Sequence, residues 1–75
     1  MIADIRKLLD ARPFVPFTVY LADGGHVRIP TLDHIHVFPN GRRVIVHKDN
    51  DDYEVLSPLM ITRLAVEGPI KDDEG

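Results

Sequence analysis

The feature that most constrains this 75-residue chain is punctuation. Short alternating runs rich in β-branched residues are cut by three turn signals, Asp23-Gly24-Gly25, Pro39-Asn40-Gly41-Arg42 and Asp49-Asn50-Asp51-Asp52. Runs this short, joined by turns this tight, cannot feed the long crossovers of a parallel sheet. They fold back on themselves as antiparallel hairpins.

The pairing follows from where the turns fall. Phe17, Val19 and Leu21 alternate with Thr18, Tyr20 and Ala22, and Val27 and Ile29 alternate with His26 and Arg28. A three-residue loop Asp23-Gly24-Gly25 sets Leu21 opposite Val27 and Val19 opposite Ile29, with both apolar sets on one face. Pro30 then turns a corner into a second hairpin, His34 to Phe38 and Arg43 to Lys48. A two-residue Asn40-Gly41 loop there sets Val37 opposite Val44 and Ile35 opposite Val46. A four-residue acidic turn leads to Tyr53 to Leu56, with Val46 opposite Val55. Ser57-Pro58 interrupts, Leu59 to Ile61 reads as one tight turn, and Thr62 to Val66 closes as a strand with Leu64 and Val66 inward.

Ahead of the strands, Ile2, Ile5, Leu8 and Leu9 recur at helical spacing, with Asp4, Arg6, Lys7 and Asp10 on the other side. That predicts one amphipathic helix over residues 1–12, ended by Pro13. About three turns are marginal alone, so the apolar stripe must pack on the sheet. The expected architecture is mainly β: an N-terminal helix followed by five short antiparallel strands in a small SH3-like or Sm-like β-barrel. An open twisted sheet crossed by the helix is the alternative. Residues 1–70 form a single domain and 71–75 a frayed acidic tail.

Composition excludes several classes. The chain is 44% apolar and 15 of its residues are Val or Ile, too many for a disordered chain. It has no cysteine, which excludes disulfide scaffolds and thiol chemistry and fits a reducing compartment. There is neither an export signal nor a run of about 18 apolar residues, so the cytoplasm is the expected location and no membrane is expected. The net charge of −3 resides mostly in the tail, leaving the body close to neutral. A protein that neutralises phosphates is expected to carry a basic surplus, so RNA is disfavoured as a partner.

The run RPFVPFTVYLADGGHVRIP, followed by DHIHVFPNGRRVIV and LMITRLAV, resembles a group of short bacterial proteins with no assigned activity. The resemblance covers residues 12–66 and is most specific in the RPFxPF link and the LADG turn. It implies a shared fold and a bacterial source. The order of elements and Leu21-Ala22-Asp23-Gly24 are also similar to Sm-like proteins, which implies a ring-forming fold. Where Sm-like proteins carry their base-holding residues, this chain reads Thr31-Leu32-Asp33-His34 and Leu59-Met60-Ile61.

Among candidate functional residues the histidines stand out. In the expected registers His34 and His36 share a face, His47 sits opposite His34, and Glu54 faces His47. Three imidazoles beside a carboxylate suit zinc or another divalent ion. The competing reading is a solvated face on which polar histidines carry no ligand. The same face carries Phe38, Ile45 and Leu56, apolar residues that need cover from the helix or from another chain. Arg28, Arg42 and Arg43 read as solubility and edge protection in preference to an anion or phosphate contact. Asp49-Asn50-Asp51-Asp52 lacks the glycine and glutamate that a calcium loop needs. No catalytic motif occurs, and Ser57, the only serine, precedes Pro58. RPFVPF reads as core packing.

The leading expectation is therefore a non-enzymatic protein-binding or self-assembly module, a homo-oligomer with a protein partner yet to be identified. The alternatives are an Sm-like RNA-binding protein and a divalent-metal-binding protein using His34, His36, His47 and Glu54.

Overall fold

The computed structural model describes residues 1–68; the expectation for the acidic tail lies outside the described residues. Helix α1 spans Ile2–Asp10, slightly shorter than expected, because Ala11 is already extended ahead of Pro13. Six strands follow: β1 (Phe17–Leu21), β2 (His26–Ile29), β3 (Ile35–Val37), β4 (Val44–His47), β5 (Tyr53–Leu56) and β6 (Ile61–Val66). They form two antiparallel three-stranded sheets, ordered β2-β1-β6 and β3-β4-β5.

The strands number six, one for each run read from the sequence, where a five-stranded barrel was expected, and no ladder closes the two sheets into a barrel among the described residues. The reason lies in the corners. Pro30 has no N–H to donate, and a 3₁₀ turn at Leu32–His34 separates β2 from β3. A second 3₁₀ turn, Pro58–Met60, separates β5 from β6, where Ser57 caps Leu59 through its side chain.

Each hairpin register is set by which loop residue takes the left-handed conformation. In the first, Gly24 does so at φ 92°, so the loop is Ala22-Asp23-Gly24 and Leu21 closes it against Gly25. Val19 therefore opposes Val27, and Phe17 opposes Ile29, two residues from the expected register. A two-residue shift preserves face parity, so the apolar faces coincide as expected. The second hairpin has the expected pairing of Ile35 with Val46 and Val37 with Val44. Its loop is longer than expected. Pro39 favours the second position of an ordinary turn, which the Gly41 N–H closes onto Phe38 O at 2.8 Å, with only Gly41 left-handed.

The third hairpin is the consequential correction. Asp51 takes the left-handed position at φ 70°, and the Lys48 N–H donates to Asp52 O at 2.7 Å, so the loop holds three residues instead of four. Val46 now opposes Glu54, Ile45 opposes Val55, and His47 opposes Tyr53. A one-residue slip exchanges the faces of the whole strand. Leu56 turns into the core at 8% exposure, and Val55 turns out at 54%.

The core is formed by Phe17, Val19, Ile29 and Ile61 from the first sheet, Ile35, Val44, Val46 and Leu56 from the second, and Ile5 and Leu8 from the helix. The register of β6 with β1 shifts beside Thr62, which brings Ile61 into the core, while Val66, opposite Phe17, is exposed where it lines the groove beside the helix. The helix lies between β6 and β3. Residues Met1 to Ala11 line a groove against Thr62–Leu64 and Val66, while Arg6, Leu9 and Asp10 border Ile35–Val37. The Arg6 guanidinium donates to the carbonyls of Phe38 and Pro39, both at 3.1 Å, which anchors the helix to the β3–β4 turn. No described helix is long and apolar enough to cross a membrane.

Candidate functional site

The outer face of the second sheet is built by the pairings just given. Alternation along β3, β4 and β5 places His36, Ile45 and Val55 in one row across the sheet, with His47 and Tyr53 in the next. The His36 and Phe38 rings lie 5.7 Å apart, and those of His47 and Tyr53 lie 6.3 Å apart. Tyr53 is 62% exposed, and with Val55 it leaves more than half of two large side chains in water on one short strand. Ile45 and Phe38 are half-buried.

His34 ends the 3₁₀ turn and is held at both ring nitrogens. Its Nε2 bonds Asp49 Oδ1 at 3.2 Å and its Nδ1 bonds Thr31 Oγ1 at 2.9 Å. A carboxylate only accepts, so Nε2 carries the proton toward Asp49; in the neutral ring Nδ1 then accepts from the Thr31 hydroxyl. The hydroxyl oxygen in turn accepts the Asp33 N–H. This chain of bonds ties the β2–β3 corner to the β4–β5 turn.

Glu54, expected beside His47, instead lies opposite Val46 on the other face of β4 and pairs with Lys48. That bond raises the Lys48 pKa above its ordinary value. The four residues expected as metal ligands are therefore not brought together. Among the described residues no group of three or more metal-ligating side chains converges. The one-residue slip in the third hairpin removes Glu54, and His34, in the expected register, is turned to Thr31 and Asp49.

A cleft beside this face is lined by His26, Arg28, His34, His47, Lys48 and Asp49. Its cations already have partners. Arg28 grips Glu67 with Nε to Oε2 at 2.6 Å and Nη2 to Oε1 at 2.9 Å, which raises the Arg28 pKa and lowers that of Glu67. Lys48 is bonded to Glu54, and His34 to Asp49. On the outer face of the first sheet, Arg63 sits 3.7 Å over the Tyr20 ring, and His26 stacks on the same ring at 5.6 Å. That aromatic ring is attended by two side chains of the chain itself.

Sequence reasoning identified the outer face of the second sheet and missed the two β5 residues most exposed on it. Tyr53 and Val55 were legible as strand residues, but their exposure depends on the acidic turn, and Asp51 gives no strong signal for left-handed backbone as glycine does. The groove between the helix and β6, of about 730 Å³, had no signal in local patterning.

No protein-family model, curated protein or solved structure matches this chain.

Proposed function

We propose that this chain is a non-enzymatic binding and assembly module that presents the outer face of its second sheet, with the bordering edge strand β5, to a protein. The observation that carries this reading is the coincidence of two features on β5. Tyr53 and Val55 are each more than half exposed, and β5 stands at the edge of its sheet. Exposed apolar side chains on an edge strand are an association surface unless they are blunted. The fold that accompanies the proposal is a small SH3-like or Sm-like barrel. The strand order is what results when the strand that bends between the two sheets of such a barrel is cut at Pro30. The partnered state of Arg28, Lys48 and Arg63 favours protein over RNA, because phosphate contacts would have to displace bonds already made.

The test compares wild type with a Tyr53→Ser, Val55→Ser double variant, both immobilised and both shown to be folded by circular dichroism. Retention of a protein, this chain included, is expected to be at least about tenfold greater on wild type, as befits loss of a central apolar pair. Equal retention on the two surfaces overturns the reading.

A further inference from the structure

We infer that β5 pairs antiparallel with β5 of a second copy across a two-fold axis centred on Val55, joining the two second sheets into one six-stranded sheet. The inference rests on the reading above and names the occupant of that surface.

The backbone supplies the first part of the argument. The Lys48–Asp52 bond fixes which β5 residues point their backbone groups at β4: Asp52, Glu54 and Leu56 do, while Tyr53, Val55 and Ser57 point theirs away. Outside the β4–β5 ladder no backbone bond among the described residues involves Tyr53 or Val55, and the parity of that ladder engages Asp52, Glu54 and Leu56 instead. The other three sheet edges are managed. The edges of β6 and β3 both border the helix, and β2 carries His26, Arg28 and the breaker Pro30. Among the described residues β5 is the edge strand that the helix does not border and that leaves two apolar side chains, Tyr53 and Val55, more than half exposed.

A second copy brings the same unblunted edge and the same exposed valine to the pairing, and charge then selects its register. Outward-pointing residues on β5 are odd-numbered, so hydrogen-bonded pairing joins odd to odd. Tyr53 opposite Tyr53 would set Glu54 against Asp52, and Tyr53 opposite Val55 would set Glu54 against Glu54; like charges directly opposed are unfavourable. Val55 opposite Val55 sets Glu54 against Leu56 and Asp52 against Pro58, with no opposed charges. A further two-residue slide runs Tyr53 onto the 3₁₀ turn at Leu59 and shortens the ladder. A single register therefore fits a second copy of this strand. It makes two backbone bonds at Val55 and one at each Tyr53–Ser57 pair, because Ser57 O already accepts the Met60 N–H at 2.9 Å. The exposed valines meet at the axis and continue the His36, Ile45, Val55 row into the partner. A symmetric interface of this kind is isologous and closes at two subunits.

The experiment combines light scattering with amide hydrogen exchange on the intact chain, from about 1 μM to 1 mM, a range suited to a small interface. The expected mass rises toward twice the monomer, and the Val55 and Ser57 amides gain protection with concentration while the Tyr53 amide does not. Val55→Lys, which sets two charges against each other at the axis, keeps the protein monomeric and folded; Leu32→Lys, at the far corner, leaves the dimer intact. A monomer throughout, a larger ring, protection of Tyr53 together with Val55, or a dimer that survives Val55→Lys overturns the inference. Should the protein stay monomeric while the double serine variant still loses a different protein, this inference alone fails. Loss of both discriminations removes the broader proposal as well.

Discussion

Truncating Leu56 and Val55 in turn tests the register of the third hairpin, on which the candidate site depends. The two residues are neighbours on β5 and differ in exposure, 8% against 54%. Leu56 is packed in the core with Val44 directly opposite on β4, so Leu56→Ala removes buried carbon and leaves a cavity that the sheet cannot fill. Such changes cost about 2–5 kcal/mol. Val55→Ala removes carbon that is already half in water, and the expected cost is below about 1 kcal/mol, mostly strand preference. A domain of this size has on the order of 4–10 kcal/mol of stability in total. With a urea slope of about 1 kcal/mol/M, Leu56→Ala lowers the midpoint by roughly 2 M or more and Val55→Ala by less than about 1 M. Far-ultraviolet circular dichroism in a urea titration at low protein concentration reads both while keeping association out of the comparison. Equal losses, or a greater loss for Val55→Ala, would refute the register and return Val55 to the core opposite Val46.

Three further outcomes follow from the geometry. Asp51 holds a left-handed backbone without being glycine, so Asp51→Gly should raise stability by up to about 1 kcal/mol, whereas Gly24→Ala, at φ 92° with nothing near its added methyl, should lower it by about as much; melting curves separate the two. The Arg28 bond depresses the Glu67 pKa below its ordinary 4.5, so its stabilisation is present above that value and disappears as pH falls through the lower folded-state value; Glu67→Gln should melt earlier than wild type at neutral pH and together with it in strong acid. Zinc titrated calorimetrically at neutral pH should give only buffer heats, and His36→Ala should leave them unchanged, because His34 is engaged at both nitrogens and Glu54 lies on the opposite face from His47.

The sequence determined the parts and one of the three hairpin registers. Helical spacing from Ile2 to Leu9 and its end before Pro13, the alternation around Val19 and Val46, and the turn positions are local properties, set by side-chain periodicity and by proline and glycine dihedrals. Pairing of β3 with β4 was legible because sliding it by one residue would put Ile35 and Val37 on the opposite face from Val44 and Val46. The expected site was half legible for the same reason: His36 and His47 fall on the outer face with Ile45, while Glu54 does not. Only the tertiary structure decided the acidic turn, where Asp51 rather than a glycine takes the left-handed position and one residue fewer in the loop reverses β5. Local preference differs little between a three- and a four-residue turn of Asp and Asn. Burial of Leu56 against Val44 distinguishes them, and that is an energy of the assembled core, spread over two sheets and a helix, which no short window of sequence contains.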